Sequence, residues 1–183
     1  MFSIKETSVD GCYQVQPRIF DDLRGRFVKV FHHHEYTKLG LETTFAEEYY
    51  STSYRGVIRG MHFQAPPSDH VKVVYCVHGE VEDVILDLRL GSPTYGRTTV
   101  ITLSASQGNL LYIPKGLAHG FCATSEIATM VYKVSVAYNS QADTGVLWNS
   151  FGHSWPIVDP VISDRDTKFI PFGEFKSPFV YAK

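Results

Sequence analysis

The sequence has few cysteines, no strong excess of charge of either sign and no long apolar run. Cys12, Cys76 and Cys122 are far apart and form no CxxC pair, which argues against a disulfide framework or zinc ribbon and favours a reducing compartment. With 17 basic and 19 acidic side chains, the chain has no basic stripe suited to nucleic acid. Its N-terminus, MFSIKETSVDG, is unlike a secretory leader, and no segment looks able to span a bilayer. We therefore predict a cytoplasmic protein that binds neither nucleic acid nor membrane.

The chain is rich in short β-prone segments. No repeat or change of composition marks a linker, so residues 1–183 are predicted to form one domain. Segments of Val, Ile, Tyr, Phe and Thr alternate with turn residues, and eight strand candidates are GRFVKVF, GVIRGMHFQ, VKVVYCVHG, VEDVILDLRL, RTTVITL, NLLYIP, HGFCAT and ATMVYKVSVAY. This spacing predicts an all-β barrel or jelly roll with few short helices, because closed or stacked sheets leave few free edges. A helical turn is expected after Ser163.

Alternation along VEDVILDLRL separates apolar from charged side chains. Val84, Leu86 and Leu88 fall on one face, whereas Asp83 and Asp87 fall mainly on the other. The pattern predicts a strand with one solvent-exposed face.

Two polar side chains fall on faces that are otherwise apolar. Tyr132 alternates with Met130 and Val134 and is predicted to point inward. Lys72 shares its face with Val74, where an ammonium is costly unless it lines a cavity or meets an anion.

Arg59 and His62 stand three residues apart, which places them on opposite faces of a regular strand. A bulge or bend would bring them together, and Gly60 is the plausible place for it.

A metal site is not predicted. The run HHHEY, His32 to Glu35, offers ligands, but successive strand residues point to opposite faces, so we interpret it as a polar strand end. The sequence also contains neither GxGxxG nor GxxxxGK[ST], the usual phosphate-binding loops.

Several side chains could act as general acids or bases: His62, Lys72, His119, Tyr132, Tyr138, Asp83, Asp87 and Asp166. Taken singly, each is more often a satisfied structural group than a catalytic one. Together, a histidine, a lysine and a tyrosine on strands of one barrel supply what proton abstraction needs: a base, a cation for the developing oxyanion and an acid.

Longer motifs resemble one family. RGMHFQAPPSDHVKVVYCVHGEVEDVILDLRLGSPTYG, LYIPKGLAHGF, MVYK, TGVLWN and PVISDRD are similar to the motifs of nucleotide-sugar epimerases typified by dTDP-4-dehydrorhamnose 3,5-epimerase. The resemblance implies a metal-free, homodimeric cupin-type jelly roll that needs no cofactor. It makes His62 the base, Asp166 its orienting carboxylate, Lys72 the stabiliser of the enolate and Tyr132 the acid. By the same resemblance the substrate-binding residues are Arg24, Glu47, Tyr49, Arg59, His119 and Tyr138.

The sequence departs from the family pattern at Glu47 and Tyr49, where Gln and Asn are usual. Lys29 stands where an acidic residue is usual, which suggests a charge swap with Glu47. These changes leave a CDP-linked substrate, or inversion at C3 or C5 alone, as alternatives to a dTDP-linked 3,5-epimerase. A non-catalytic sugar-binding barrel, a metal-dependent cupin oxygenase and a keto isomerase are the other functions considered.

Overall fold

Antiparallel strands make up most of the regular structure in this computed structural model, which describes residues 2–182. Within that range the strands are β1 (Phe2–Glu6), β2 (Tyr13–Pro17), β3 (Ile19–Asp22), β4 (Gly25–Val28), β5 (Glu47–Tyr54), β6 (Ile58–Gln64), β7 (Lys72–His78), β8 (Glu80–Asp87), β9 (Thr98–Ser104), β10 (Leu110–Ile113), β11 (Leu117–Ala123), β12 (Ile127–Val134) and β13 (Asp143–Gly145). The helices are α1 (His33–Lys38) and 3₁₀ turns at Asp166–Lys168 and Phe172–Glu174. The all-β prediction is confirmed.

Two sheets pack face to face. The larger has the strand order β1-β2-β10-β7-β12-β5, the smaller has the order β13-β6-β11-β8-β9, and β3 pairs with β4 as a separate hairpin. Val74 and Met130 from the larger sheet share one buried cluster with Ile85 and Phe121 from the smaller. Burial of this apolar surface between the sheets is the main favourable contribution to folding.

Both outer faces are partly covered as well. Tyr36 of α1 packs with Val73 and Leu110 on the larger sheet. Phe179, near the C-terminus, packs with Phe63 and Leu86 on the smaller one. The central strands of each sheet are therefore buried on both faces.

Strand β8 corrects the prediction of a solvent-exposed face. Its apolar face is as predicted, with Val84 and Leu86 buried, but Asp83 and Asp87 have no exposed surface either. They face the interior because β8 lies between β11 and β9 in the smaller sheet, whose inner face meets the larger sheet. Each carboxylate is paired, Asp83 with His119 and Asp87 with Arg89. Alternation alone could not distinguish a polar interior from solvent.

The interpretation of His32 to Glu35 as a strand end is wrong, because His33 begins helix α1 and His32 is its N-terminal flanking residue. The expected turn after Ser163 is present, and the Ser163 hydroxyl accepts a hydrogen bond from the Asp166 amide at 3.2 Å. None of the helices within residues 2–182 has the length and apolar character needed to cross a membrane.

Candidate active site

A cavity of about 340 Å³ opens beside His62. Its walls come from β5, β6, β12, β13 and the segments around residues 70, 138 and 165, and the lining residues are Glu47, Tyr49, His62, Phe63, Gln64, His70, Val134, Val136, Tyr138, Asp143 and Arg165. The volume lies at the lower end of the range typical of small-molecule sites. Four of the ten residues predicted for the site line this cavity: Glu47, Tyr49, His62 and Tyr138.

His62 and Asp166 form a close pair at the cavity. The His62 Nε2 atom lies 2.8 Å from Asp166 Oδ1, and Asp166 Oδ2 accepts a hydrogen bond from the Gly60 amide at 3.1 Å. Asp166 is 3% exposed. Burial raises the pKa of Asp166, but the hydrogen bond and charge of His62 and the Gly60 amide outweigh burial, so the pKa lies below its usual value.

This pairing determines the protonation of the imidazole. An ionised Asp166 can only accept, so the His62 proton sits on Nε2 and Nδ1 keeps a free lone pair. Burial lowers the pKa of His62, and although Asp166 opposes this effect, the net direction is downward. His62 is therefore neutral at pH 7 and able to accept a proton at Nδ1.

Lys72 lies buried behind His62. Its Nζ donates a hydrogen bond to the His62 carbonyl at 3.2 Å, and the residue is 7% exposed. Burial lowers its pKa to about 8, while the charges of Asp143 and Asp83 oppose the shift. Lys72 thus remains mostly cationic at pH 7.

Tyr132 points inward as predicted and is 7% exposed. Its ring stacks on Tyr49 with centroids 4.8 Å apart, and its hydroxyl lies 3.0 Å from Ser51 Oγ. Burial raises the pKa of Tyr132, and the hydrogen bond with Ser51 partly opposes the shift. The phenol is therefore protonated at neutral pH, and Tyr49, which stacks on its ring, lines the cavity.

The predicted bulge at Gly60 is present. Across strands β6 and β11, His62 pairs with His119 and Arg59 pairs with Phe121. Two residues, Gly60 and Met61, therefore lie opposite one residue, Gly120. Gly60 has φ = 137°, and a Cβ there would come 2.5 Å from Gly120 Cα. The extra residue shifts the alternation of side chains along β6. The side chains of Arg59 and His62 then both reach the space between the sheets.

Arg59 and His119 both lie near Tyr132 and do not line the cavity. Arg59 Nε donates to Ser53 Oγ at 2.9 Å, and its charge lowers the pKa of Tyr132, against the larger effect of burial. The His119 ring lies 6.1 Å from the Tyr132 ring, and its Nε2 atom is 2.8 Å from Asp83 Oδ2. His119 is buried. Arg59 and His119 both approach the Tyr132 phenol from the smaller sheet.

Arg24 is not brought to this cavity. It lies at the tip of the β3–β4 hairpin with its side chain 90% exposed, and it hydrogen-bonds to Asp22. Glu47 does line the cavity, but no salt bridge within residues 2–182 joins it to Lys29, so the proposed charge swap is not seen. The Glu47 carboxylate instead accepts a hydrogen bond from the Tyr138 amide at 2.7 Å.

Sequence reasoning missed a polar network on the cavity wall. The Gln64 side-chain oxygen Oε1 accepts a hydrogen bond from the Asn139 backbone amide at 2.6 Å, which directs the Gln64 NH₂ to the Ser68 backbone carbonyl and to His70 Nδ1. Gln64 thereby ties the strand of His62 to the segment that follows Tyr138. Its place two residues after His62 was the available signal.

A second missed pair is Arg165 and Asp143, whose side chains meet at 2.8 Å on the cavity wall. Arg165 also lies over the ring of Phe169, which contacts the His62 ring edge to face. Within residues 2–182 no cluster of three or more His, Cys, Asp or Glu has an arrangement that could hold a metal ion.

Comparison with known proteins identifies the family. A family model described as dTDP-4-dehydrorhamnose 3,5-epimerase matches residues 6–174. The Shigella flexneri dTDP-4-dehydrorhamnose 3,5-epimerase is 37% identical, over 90% of this chain and 92% of that protein. The Streptomyces niveus dTDP-4-dehydrorhamnose 3-epimerase is 36% identical, over 93% of this chain and 84% of that protein.

A solved structure is also similar over its full length. The dTDP-6-deoxy-D-glucose-3,5-epimerase of Legionella pneumophila, crystallised with dTDP-4-keto-L-rhamnose, has a TM-score of 0.94 and 31% identity, with all of both chains covered. The fold is accordingly the cupin-type jelly roll expected from the sequence. The protein belongs to the dTDP-4-dehydrorhamnose 3,5-epimerase family.

Proposed function

We propose that this protein is an isomerase that inverts C3 and C5 of dTDP-4-dehydro-6-deoxy-D-glucose, using one jelly-roll domain in the cytoplasm. The observation that carries the proposal is the His62–Asp166 pair at the cavity, with Lys72 bonded to the His62 carbonyl. Family membership and the sugar nucleotide bound by the Legionella protein support the substrate class.

In the proposed reaction His62 Nδ1 removes the proton from a carbon next to the C4 ketone. The resulting negative charge moves to the ketone oxygen, where the Lys72 ammonium would stabilise it. Tyr132 then returns a proton to the opposite face, which inverts the carbon. The sequence of steps involves no net oxidation or reduction, and so it calls for no redox cofactor.

Solvent deuterium tests this proposal. With the dTDP-linked keto-sugar in D₂O, NMR of the product is expected to show deuterium at both C3 and C5, because each inverted carbon receives a proton derived from solvent. Parallel incubation with the CDP-linked sugar measures the choice of nucleotide, and much faster turnover of that sugar would contradict the dTDP assignment. Label at one carbon would make the protein a mono-epimerase, and no label at either would remove the epimerase proposal.

We further propose a homodimer in which Arg24 of a second copy completes the site. Among the strands of residues 2–182 the β3–β4 hairpin pairs with no other, and it exposes large apolar side chains, Phe20, Leu23 and Phe27, beside Arg24. Family resemblance implies that Arg24 binds near the nucleotide diphosphate, but within one chain Arg24 does not line the cavity. A second copy would both cover the apolar side chains and deliver the guanidinium.

We expect light scattering to give a mass of about 41 kDa for the dimer, twice the 20.6 kDa of the chain.

A hybrid of one R24A chain and one H62A chain, isolated with two tags, should regain about half of the wild-type rate at low substrate concentration, since one of its two sites is intact. A monomeric mass, or a hybrid no more active than its parents, would contradict this arrangement.

A further inference from the structure

Strand β5 presents two side chains to the proposed acid, Tyr132, and a third to Arg59. Tyr49, Ser51 and Ser53 alternate along one face of the strand, toward the smaller sheet. Tyr49 stacks on the Tyr132 ring, and Ser51 Oγ lies 3.0 Å from the Tyr132 hydroxyl. Ser53 Oγ accepts a hydrogen bond from Arg59, whose charge acts on the same phenol. The side chains on this face of β5 thus contact Tyr132 directly or through Arg59.

We propose that Ser51 is a positioning residue for the acid step, in which it orients the Tyr132 hydroxyl and donates a hydrogen bond to the phenolate that forms. The inference rests on the proposed function, since it assumes that Tyr132 protonates the sugar. The proposal adds Ser51 to the residues that take part in the reaction. It also explains how a buried phenol can lose its proton.

The balance of the step shows why a donor is needed. The Tyr132 O–H bond breaks, the proton forms the new C–H bond with the electron pair of the enolate, and the carbonyl is restored. The electron pair of the O–H bond stays on the Tyr132 oxygen as a phenolate. Because Tyr132 is 7% exposed, water solvates the phenolate charge poorly. Hydrogen bonds from protein groups must therefore replace the missing hydration.

Ser51 is the side chain hydrogen-bonded to that oxygen. A hydroxyl can accept from the neutral phenol and then rotate to donate to the phenolate, so the contact suits both states. Hydrogen bonds to charged groups contribute more than those between neutral ones, so the contact is expected to strengthen as the proton leaves Tyr132. Arg59, held by Ser53, supplies a second, longer-range stabilisation of the same charge.

The same pair of strands offers a matched control. Thr52 and Thr129 form a hydroxyl pair at 3.1 Å between β5 and β12, on the opposite, exposed face. T52A removes a cross-strand hydroxyl contact like that lost in S51A, without touching Tyr132. A purely structural role of such contacts predicts similar effects for the two variants.

The experiment compares wild type, S51A, S51C, S51T and T52A with the dTDP-linked keto-sugar in D₂O, and measures inversion separately from deuterium exchange in recovered, uninverted substrate. Inversion is expected to fall about 10- to 100-fold in S51A and S51C, the loss of one hydrogen bond to a charge. Exchange should fall less than about threefold, because His62 still removes and returns a proton on its own face. S51T, which keeps the hydroxyl, and T52A should stay near wild type.

Inversion in S51A within about twofold of wild type, or a parallel loss of exchange and inversion, would overturn the role of Ser51 while leaving the proposed function intact. If S51A does not fold, S51C gives the same comparison with a side chain of nearly equal size. Absence of both exchange and inversion in the wild type would instead overturn the proposed function itself.

Discussion

H62A is expected to lower kcat by about 10³-fold while the affinity for the dTDP-sugar changes by no more than a few fold. The reason is that Nδ1 of His62 is the proposed acceptor of the sugar proton, and general bases typically contribute about 10² to 10⁴ in rate. Steady-state kinetics and isothermal titration measure the two quantities. Deuterium exchange into the substrate should fall with kcat, because both begin with the same proton abstraction.

D166N should be nearly as damaging, for a reason set by the local hydrogen bonds. The Gly60 amide donates to Asp166 Oδ2, so an asparagine would turn its carbonyl toward Gly60 and its NH₂ toward His62 Nε2. The imidazole proton would then move to Nδ1 and block the base. We expect a loss of about 10² to 10⁴ in kcat with the fold retained.

H33A is the control for these variants, since it removes an exposed imidazole on α1 that does not line the cavity. Its rate should equal that of the wild type. A large loss of affinity in H62A, with little change of kcat, would show that His62 mainly binds the substrate. An active D166N would show that the tautomer is set by another group.

K72M should reduce kcat by about 10² to 10³, because it removes the cation that we propose stabilises the developing oxyanion. Lys72 is buried and donates to the His62 carbonyl, so methionine keeps its length and apolar stem but not its charge. K115M is the matched control, since Lys115 is a largely exposed lysine that lies 4.0 Å from Asp69. A K72M enzyme with unchanged kcat would assign enolate stabilisation to other groups.

The pH dependence gives an independent test of Lys72. Its pKa is lowered to about 8 by burial, and the cationic form is the one proposed to stabilise the enolate, so kcat/KM should fall as the pH rises through about 8. K72R keeps a charge well above that pH, and its residual activity should lose this alkaline decrease. On the acid side, kcat/KM should fall as His62 gains its proton, below the usual histidine pKa, since burial lowers the pKa of His62.

Some features could be read from short patterns of residues. The inward direction of Tyr132 follows from alternation along β12, and the bulge at Gly60 follows from the need to place Arg59 and His62 on one side. The same kind of pattern failed at β8, where Asp83 and Asp87 are buried. Alternation reports that two faces differ, and it does not report which of them meets water.

The histidine run His32 to Glu35 shows a different failure. The alternation rule predicts the end of a strand, but α1 begins at His33, and its Tyr36 packs on the larger sheet. A six-residue helix has little intrinsic stability, so tertiary packing decides its conformation. Gln64 was overlooked for a related reason, because its role depends on partners at Ser68, His70 and Asn139 that only the folded chain brings together.

By itself the sequence determined the all-β class, the family and the chemical types at the site, because strand periodicity and motif residues are local properties of the chain. Only the tertiary structure decided that Asp166 meets His62 from 104 positions away, that Lys72 donates to the His62 carbonyl, and that Ser51 meets Tyr132 from another strand. These contacts arise from sheet order and packing, which bring distant residues within hydrogen-bonding distance and exclude water from them. The same packing leaves Arg24 on an exposed hairpin, where a single chain does not place it at the cavity.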